Sequence, residues 1–202
     1  LLGTDARLLD ADAPNNSDGK LNKVIANVLA EYNKAKDEGN IGCQLIFSDI
    51  GVPKQKWSED MVTNGFGTQK SISSDGEEIS EFSFDIYNYV KTELVKKGIP
   101  EEEIAFIHDA ITDAQRDVLF REMRTGKKKI LLGSTDKCGT GVNVQTHLTA
   151  MHHIDCPWKP SCIEQREGRG IRQGNLNDEV AVYRYVTKGT FDAYSWVRRE
   201  VA

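Results

Sequence analysis

The chain has 202 residues, of which 39% are hydrophobic and 28% charged. That is one domain's worth, or one domain with insertions. The composition supports a buried core and excludes a disordered chain, and no apolar run approaches the length of a membrane span. The net charge of −5 argues against a protein that coats nucleic acid, yet residues 115–175 hold 11 Lys+Arg against 6 Asp+Glu, leaving −10 on the rest. A localised basic region on an acidic body suits contact with phosphate along one surface.

In chain order, residues 1–19 are polar, rich in Asp, Asn and Gly, and read as a linker. They lack the basic start and apolar core of a secretory signal, and a start at Leu1 rather than Met marks an expected piece of a longer intracellular chain. Residues 20–202 form the expected domain. Asp18 can cap a helix starting near Lys20, where Leu21, Val24, Ile25, Val28 and Leu29 recur at helical spacing until Gly39. Residues 44–50 (QLIFSDI) read as a buried strand. Residues 51–80, with Pro53, Gly65, Gly67 and Gly76, read as an insertion or long loop.

A second amphipathic helix spans 84–97 and stops at Gly98; residues 103–108 form a strand. Thr112 caps a third helix with Val118, Leu119, Phe120 and Met123 on its inner face. Strands follow at 129–133, 151–155 and 180–186, with a helix at 161–171 and a last helix from about Phe191. This alternation predicts an α/β fold, a three-layer α/β/α sandwich around a mostly parallel sheet. Ligands of such sheets gather beyond the carboxyl ends of the strands. The loops after Ile46, Ile107, Leu132 and Ile154 are therefore the expected places of function.

Among the four cysteines (Cys43, Cys138, Cys156, Cys162) there is no C-x-x-C pair, and three sit where buried thiols of a reducing compartment would. His152 and His153 precede two of them. Neighbours on a strand point to opposite faces, which tells against one shared metal site.

The strongest chemical signal is Gln165-Arg166-Glu167-Gly168-Arg169-Gly170-Ile171-Arg172. Arg169 and Arg172, three apart, share one helical face. Two guanidinium forks beside glycines suit a polyphosphate, and a fixed arginine there stabilises the charge that grows during phosphoryl transfer. A surface helix with ordinary ion pairs is the bland alternative. Arg166 reads as a surface or interlobe contact. The second signal, Ser134-Thr135-Asp136-Lys137-Cys138-Gly139-Thr140-Gly141-Val142-Asn143-Val144, directly follows a strand and offers hydroxyls and backbone N–H groups to phosphate. It is not the dinucleotide fingerprint, since Val144 stands where a third glycine belongs.

These two stretches, in this order and spacing, resemble motifs V and VI of superfamily 2 helicases. The Q-x-x-G-R-x-x-R pattern is matched at Gln165, Gly168, Arg169 and Arg172. The resemblance is nearest to Swi/Snf-type DNA translocases, on Gly141-Val142-Asn143-Val144, on Asp155-Cys156-Pro157-Trp158-Lys159-Pro160, and on Val180, Val182, Tyr183, Arg184, Gly189 and Thr190. QLIFSD, with Ser48, resembles motif IV. Lys159, Asn175 and Cys138-Gly139-Thr140 depart from the pattern and mark a divergent branch. Trp158, between two prolines, reads as a packing anchor.

The resemblance implies a RecA-like C-terminal motor lobe in which Arg169 and Arg172 are arginine fingers. It implies that Gln165, Gly168, Gly141 and Asn143 lie near the nucleotide, and that Ser134, Thr135, Lys137 and Ser48 lie near nucleic acid. The sequence has no G-x-x-x-x-G-K-[ST] phosphate cradle and no D-E-x-H stretch for magnesium. ATP and Mg2+ are then expected on an N-terminal RecA-like lobe of the parent chain, with DNA as the other partner, and this chain alone is expected to be inactive. Two alternatives remain: an inert helicase-like docking module, and an unrelated α/β enzyme using Gly139 and Gly141 for a nucleotide cofactor.

Overall fold

The computed structural model describes residues 3–10, 12–52, 66–72, 78–138, 144–157, 159–171, 174–190, 193 and 196. Five strands, β1 (Cys43–Phe47), β4 (Ile104–Phe106), β5 (Ile130–Gly133), β6 (Leu148–His153) and β7 (Ala181–Arg184), form one sheet in the order β4-β5-β1-β6-β7. Every pairing in it is parallel. Parallel strands need crossovers and so are covered on both faces, which is why β1 is apolar along most of its length and buried at all five positions.

One face packs on α1 (Lys20–Asp37) and α2 (Ile86–Lys96), with Leu21, Val24, Ile25, Val90 and Leu94 against Ile46, Ile130 and Leu132. The other carries Leu45, Phe47, Leu131 and Met151 against Leu119, Phe120 and Met123 of α3 (Asp113–Arg124). The expected three layers are therefore present. Local signals set the ends. At α3, Thr112 and Gln115 form a reciprocal capping box. At the end of α1, Gly39 takes φ 68° and the Asn40 N–H returns to the Ala35 carbonyl at 2.8 Å. A Cβ on Gly133, at the end of β5, would stand 2.2 Å from Cys138 Sγ and 2.8 Å from Ile107 Cγ2, so only glycine lets these elements approach.

Several expectations need correction. Asp18 does not cap α1; Gly19 is the N-cap, without a side-chain bond. The stretch 51–80 is not simply irregular, because β2 (Phe66–Ile72) pairs antiparallel with β3 (Glu78–Phe84) as a separate two-stranded sheet. Phe84 thus ends a strand, and Asp85 caps α2 by accepting from the Tyr87 and Asn88 N–H groups. Val118 is 43% exposed, so it belongs to the outer face of α3. Two cysteines rather than three, Cys43 and Cys138, are buried. The remaining helix, α5 (Pro160–Gly170), follows the short α4 (Thr135–Cys138). Trp158 and most of the expected last helix lie outside the described residues.

The segment read as a linker is fastened to the lobe where it is described. Arg7 is buried, paired with Asp5 at 2.7 Å, with its guanidinium 4.3 Å from the Phe84 ring centre and 4.2 Å from that of Tyr89. Asn15 donates to the Tyr89 hydroxyl.

Candidate site at the carboxyl edge of the sheet

The carboxyl ends of β1, β5 and β6 converge on one side chain. Arg166, in α5, is 1% exposed and is among the largest fully buried residues described. Its Nε–H donates to Thr135 Oγ1 at 2.8 Å. Its Nη2 donates to Asp49 Oδ2 at 2.8 Å and to Asp155 Oδ1 at 3.0 Å, and Nη1 donates to the Asp155 carbonyl at 3.2 Å. The guanidinium lies 5.2 Å from the centre of the Phe47 ring. Asp49 follows β1, Thr135 follows β5 and Asp155 follows β6, so one guanidinium joins three strand ends to α5.

The carboxylates extend the network. Asp49 accepts from the Thr135 N–H at 2.6 Å and from its hydroxyl at 2.7 Å. Asp155 accepts from the N–H groups of Asp49 at 2.5 Å and Ile50 at 3.0 Å. Burial pushes the Asp155 carboxyl above its ordinary pKa; Arg166 opposes this and the Asp49 charge adds to it. Beside the cluster, His153 Nδ1 lies 3.5 Å from Arg166 Nη1. A guanidinium only donates, so Nδ1 keeps its lone pair and the ring proton sits on Nε2, facing Glu167 at 3.4 Å. Burial lowers the His153 pKa against the pull of Glu167. The Glu167 carboxyl is held below its usual range by His153 and by Arg184, which donates to it at 2.8 Å.

The expectation that Arg166 is a surface residue is thus corrected. Its signal was present in the helical spacing. Residues 165, 168 and 169 recur on one side of α5, and Arg166 stands about 100° round the helix from Gln165. Gln165 and Gly168 are exposed, and a Cβ at Gly168 would meet nothing within 4 Å, so that side of the helix can receive another surface.

The other predicted site residues divide. Ser48 is buried: its hydroxyl donates to the Ile50 carbonyl at 2.7 Å and its own carbonyl accepts from Tyr87. Thr135 is also buried, its hydroxyl held between Asp49 and Arg166. Lys137 is exposed and Ser134 half-exposed, one turn apart at the same edge. The backbone of Arg169 continues α5 one turn after Gln165. Gly141, Asn143, Arg172 and the side chain of Arg169 lie outside what is described. Asp49 and Asp155 fall within stretches that carry the family resemblance, yet neither they nor His153 stand among the expected site residues. Two open grooves, of about 600 and 630 Å3, are lined by none of the candidate residues.

Residues 71–174 match the model of the helicase conserved C-terminal domain. The fold is similar to the C-terminal part of the Fun30 ATPase domain, with a TM-score of 0.58 at 14% identity, over 94% of this chain and 48% of that one. Among curated proteins, a 73-residue stretch is 37% identical to the defense against restriction protein B of Escherichia phage P1, covering 36% of this chain. A 96-residue stretch is 30% identical to the SNF2 domain-containing protein CLASSY 3 of Arabidopsis thaliana, covering 46% of this chain. The matched stretches span only 3% and 7% of those two proteins.

Proposed function

Because the chain belongs to the helicase conserved C-terminal domain family, we propose that it is the second motor lobe of an ATP-dependent DNA translocase of the Swi/Snf kind. The observation that carries this reading is α5: a helix anchored at the carboxyl edge of a parallel sheet by buried Arg166, with Gln165 and Gly168 on its exposed side.

In this reading Arg169 and Arg172 reach a triphosphate held mainly by an N-terminal lobe, and stabilise the charge that develops on its transferring phosphoryl oxygens. Gln165, Gly168, Gly141 and Asn143 border the nucleotide. ATP with Mg2+ supplies the phosphoanhydride, and the exposed side of α5 fits it as half of a cleft. Ser134 and Lys137 touch the nucleic-acid backbone directly. Ser48 and Thr135, whose hydroxyls are engaged inside the lobe, support those contacts from behind. Closure of the two lobes and its reversal move the pair along DNA. The 96-residue match to a SNF2-domain relative supports the Swi/Snf assignment.

The test is ATP hydrolysis with and without duplex DNA, for this chain alone and for the parent chain extended through its upstream lobe. Activity only in the extended form, stimulated by DNA and lost in Arg169→Ala with nucleotide binding retained, is the expected result. No activity in either form moves the assignment to an inert docking module.

A further inference from the structure

The chain before α1 is fastened at more points than a connector needs. The Thr187 hydroxyl, just after β7, donates to the Gly3 carbonyl. Thr4 and Arg7 are buried. Leu8 packs against the apolar core, and a Cβ on Gly51, in the turn after β1, would stand 3.1 Å from Leu8 Cδ2. At the far end Lys20 is buried, and its Nζ donates to the Ile154 carbonyl, just after β6, at 3.1 Å. Three strand ends, all on the carboxyl edge, thus hold one polar segment. Ordering such a segment costs conformational entropy, which a plain linker avoids by staying loose.

Arg7 is the clasp. Asp5, two residues before it, accepts from Nε at 2.8 Å and from Nη2 at 2.7 Å. This fork balances the charge within the segment itself, and a weakly hydrated guanidinium can still rest on aromatic rings. Phe84 and Tyr89 present theirs, with centres 4.3 and 4.2 Å away. Tyr89 is itself held: its hydroxyl accepts from Asn15 at 3.0 Å and donates to Asn22 at 3.2 Å, while Asn22 donates to Asn15 at 2.9 Å. The clasp therefore joins the segment to β3, α2 and α1 at once.

In the motor-lobe reading, the upstream lobe is tethered to this one through residue 3. While the clasp is shut, the free tether ends at Gly3, beside the carboxyl end of β7 and at the edge that faces the cleft. When it opens, residues 3–19 join the tether, which then ends at α1. The local concentration of one tethered surface at another falls as about the −3/2 power of tether length, so a tether two to three times longer lowers it about three- to fivefold.

We infer that residues 3–19 form a strap, clasped by Arg7 on Phe84 and Tyr89, that shortens the tether to the upstream lobe and so sets how readily the cleft closes. This rests on the motor-lobe reading and adds a control on closure that lies outside both motif stretches. Arg7 touches neither nucleotide nor nucleic acid; it is a positioning residue.

The experiment uses the two-lobed parent chain with a fluorescent donor on one lobe and an acceptor on the other. It compares wild type, Arg7→Ala, Phe84→Leu and the double variant. Closure is read by energy transfer with duplex DNA and a non-hydrolysable ATP analogue, turnover with ATP, and release of residues 3–10 by amide hydrogen exchange. Each single variant is expected to raise that exchange, and to lower both the closed-to-open ratio and turnover at sub-saturating ATP about three- to fivefold. The double variant is expected to match the singles to within about twofold, because a strap is released only once, whereas independent packing losses add. Arg7→Lys keeps a cation over the rings without the fork to Asp5, and is expected to fall between Arg7→Ala and wild type. Raised exchange with an unchanged closed-to-open ratio overturns the inference and leaves the motor-lobe reading intact. Unchanged exchange in both single variants also overturns it, because Arg7 is then not the clasp. A wild-type parent that neither closes on the analogue nor hydrolyses ATP overturns both.

Discussion

Lowering the pH tests the neutral polar network on the α1 face of the sheet. His152 is fully buried and stacks on Tyr183 with ring centres 4.9 Å apart. Gln44 donates its amide to the Val28 carbonyl at 3.0 Å, so its Oε1 must accept from His152 Nε2 at 2.9 Å. Nδ1 therefore accepts from the Tyr185 hydroxyl at 2.8 Å. Both nitrogens are committed, and burial pushes the ring down from 6.5 to about 3. The unfolded chain takes up this proton near pH 6.5 and the folded chain does not, so stability is present above that pH and lost as pH falls toward 3. Between pH 7 and pH 5 the loss is about 2 kcal/mol.

Asp85 opposes this trend. Burial raises its pKa from 3.8 to about 6, so its contribution is greatest below 3.8 and fades as pH rises through 6. The comparison with His152→Phe cancels that background. The variant keeps a stacked ring and leaves Gln44 and Tyr185 without their partner, a cost of about 2–4 kcal/mol at pH 7. Urea unfolding followed by circular dichroism at pH 7, 6 and 5 should show the wild-type advantage shrinking by about 2 kcal/mol, roughly 1 M in midpoint. An advantage constant to within about 0.5 kcal/mol across that range would refute the assignment of a neutral, committed imidazole.

Two further outcomes test the packing. Gly133→Ala places a Cβ against Cys138 and Ile107 and should cost about 1–3 kcal/mol by thermal melting, with at least half recovered when Cys138→Ala is added; a neutral single variant would show that this approach is not tight. Arg7→Ala removes a cation held over Phe84 and Tyr89, and should raise amide hydrogen exchange in residues 3–10 at a stability cost of about 1–2 kcal/mol. Unchanged exchange there would mean that other contacts fasten the segment.

The layers are legible in the sequence because periodicity reports burial directly. Residue type and spacing alone mark β1 as a covered strand and the Leu21, Val24, Ile25, Val28 stripe as the inner side of an amphipathic helix. The β2–β3 hairpin is not legible, since its Gly, Ser, Thr and Glu content lacks the alternation that marks a half-buried strand. Residues 3–10 are hidden for a related reason: their polarity says linker, and only tertiary contact reveals aromatic rings waiting for Arg7. At the site, a motif marks positions but not the direction in which each residue faces. Gln165 and Arg166 are adjacent in sequence, and one turns to solvent while the other is the most enclosed charge in the described lobe.

That contrast bears on what β6 does. His152 and His153, side by side, enter opposite layers. The direct hydrogen bonds of His152 go to neutral groups and close within the lobe through Gln44, Tyr185 and Asn27. The His153 layer is charged, containing Arg166, Asp155, Asp49 and Glu167, and it reaches the surface through Asp49 and Arg184. A closed neutral network specifies one packing and is finished when the chain folds. A charged network that opens at an edge can still respond, because a change at its exposed end alters the balance on the buried guanidinium. The first suits holding the sheet together. The second suits the motor lobe proposed above, which would work against another surface, and it stands at the same edge as the exposed side of α5.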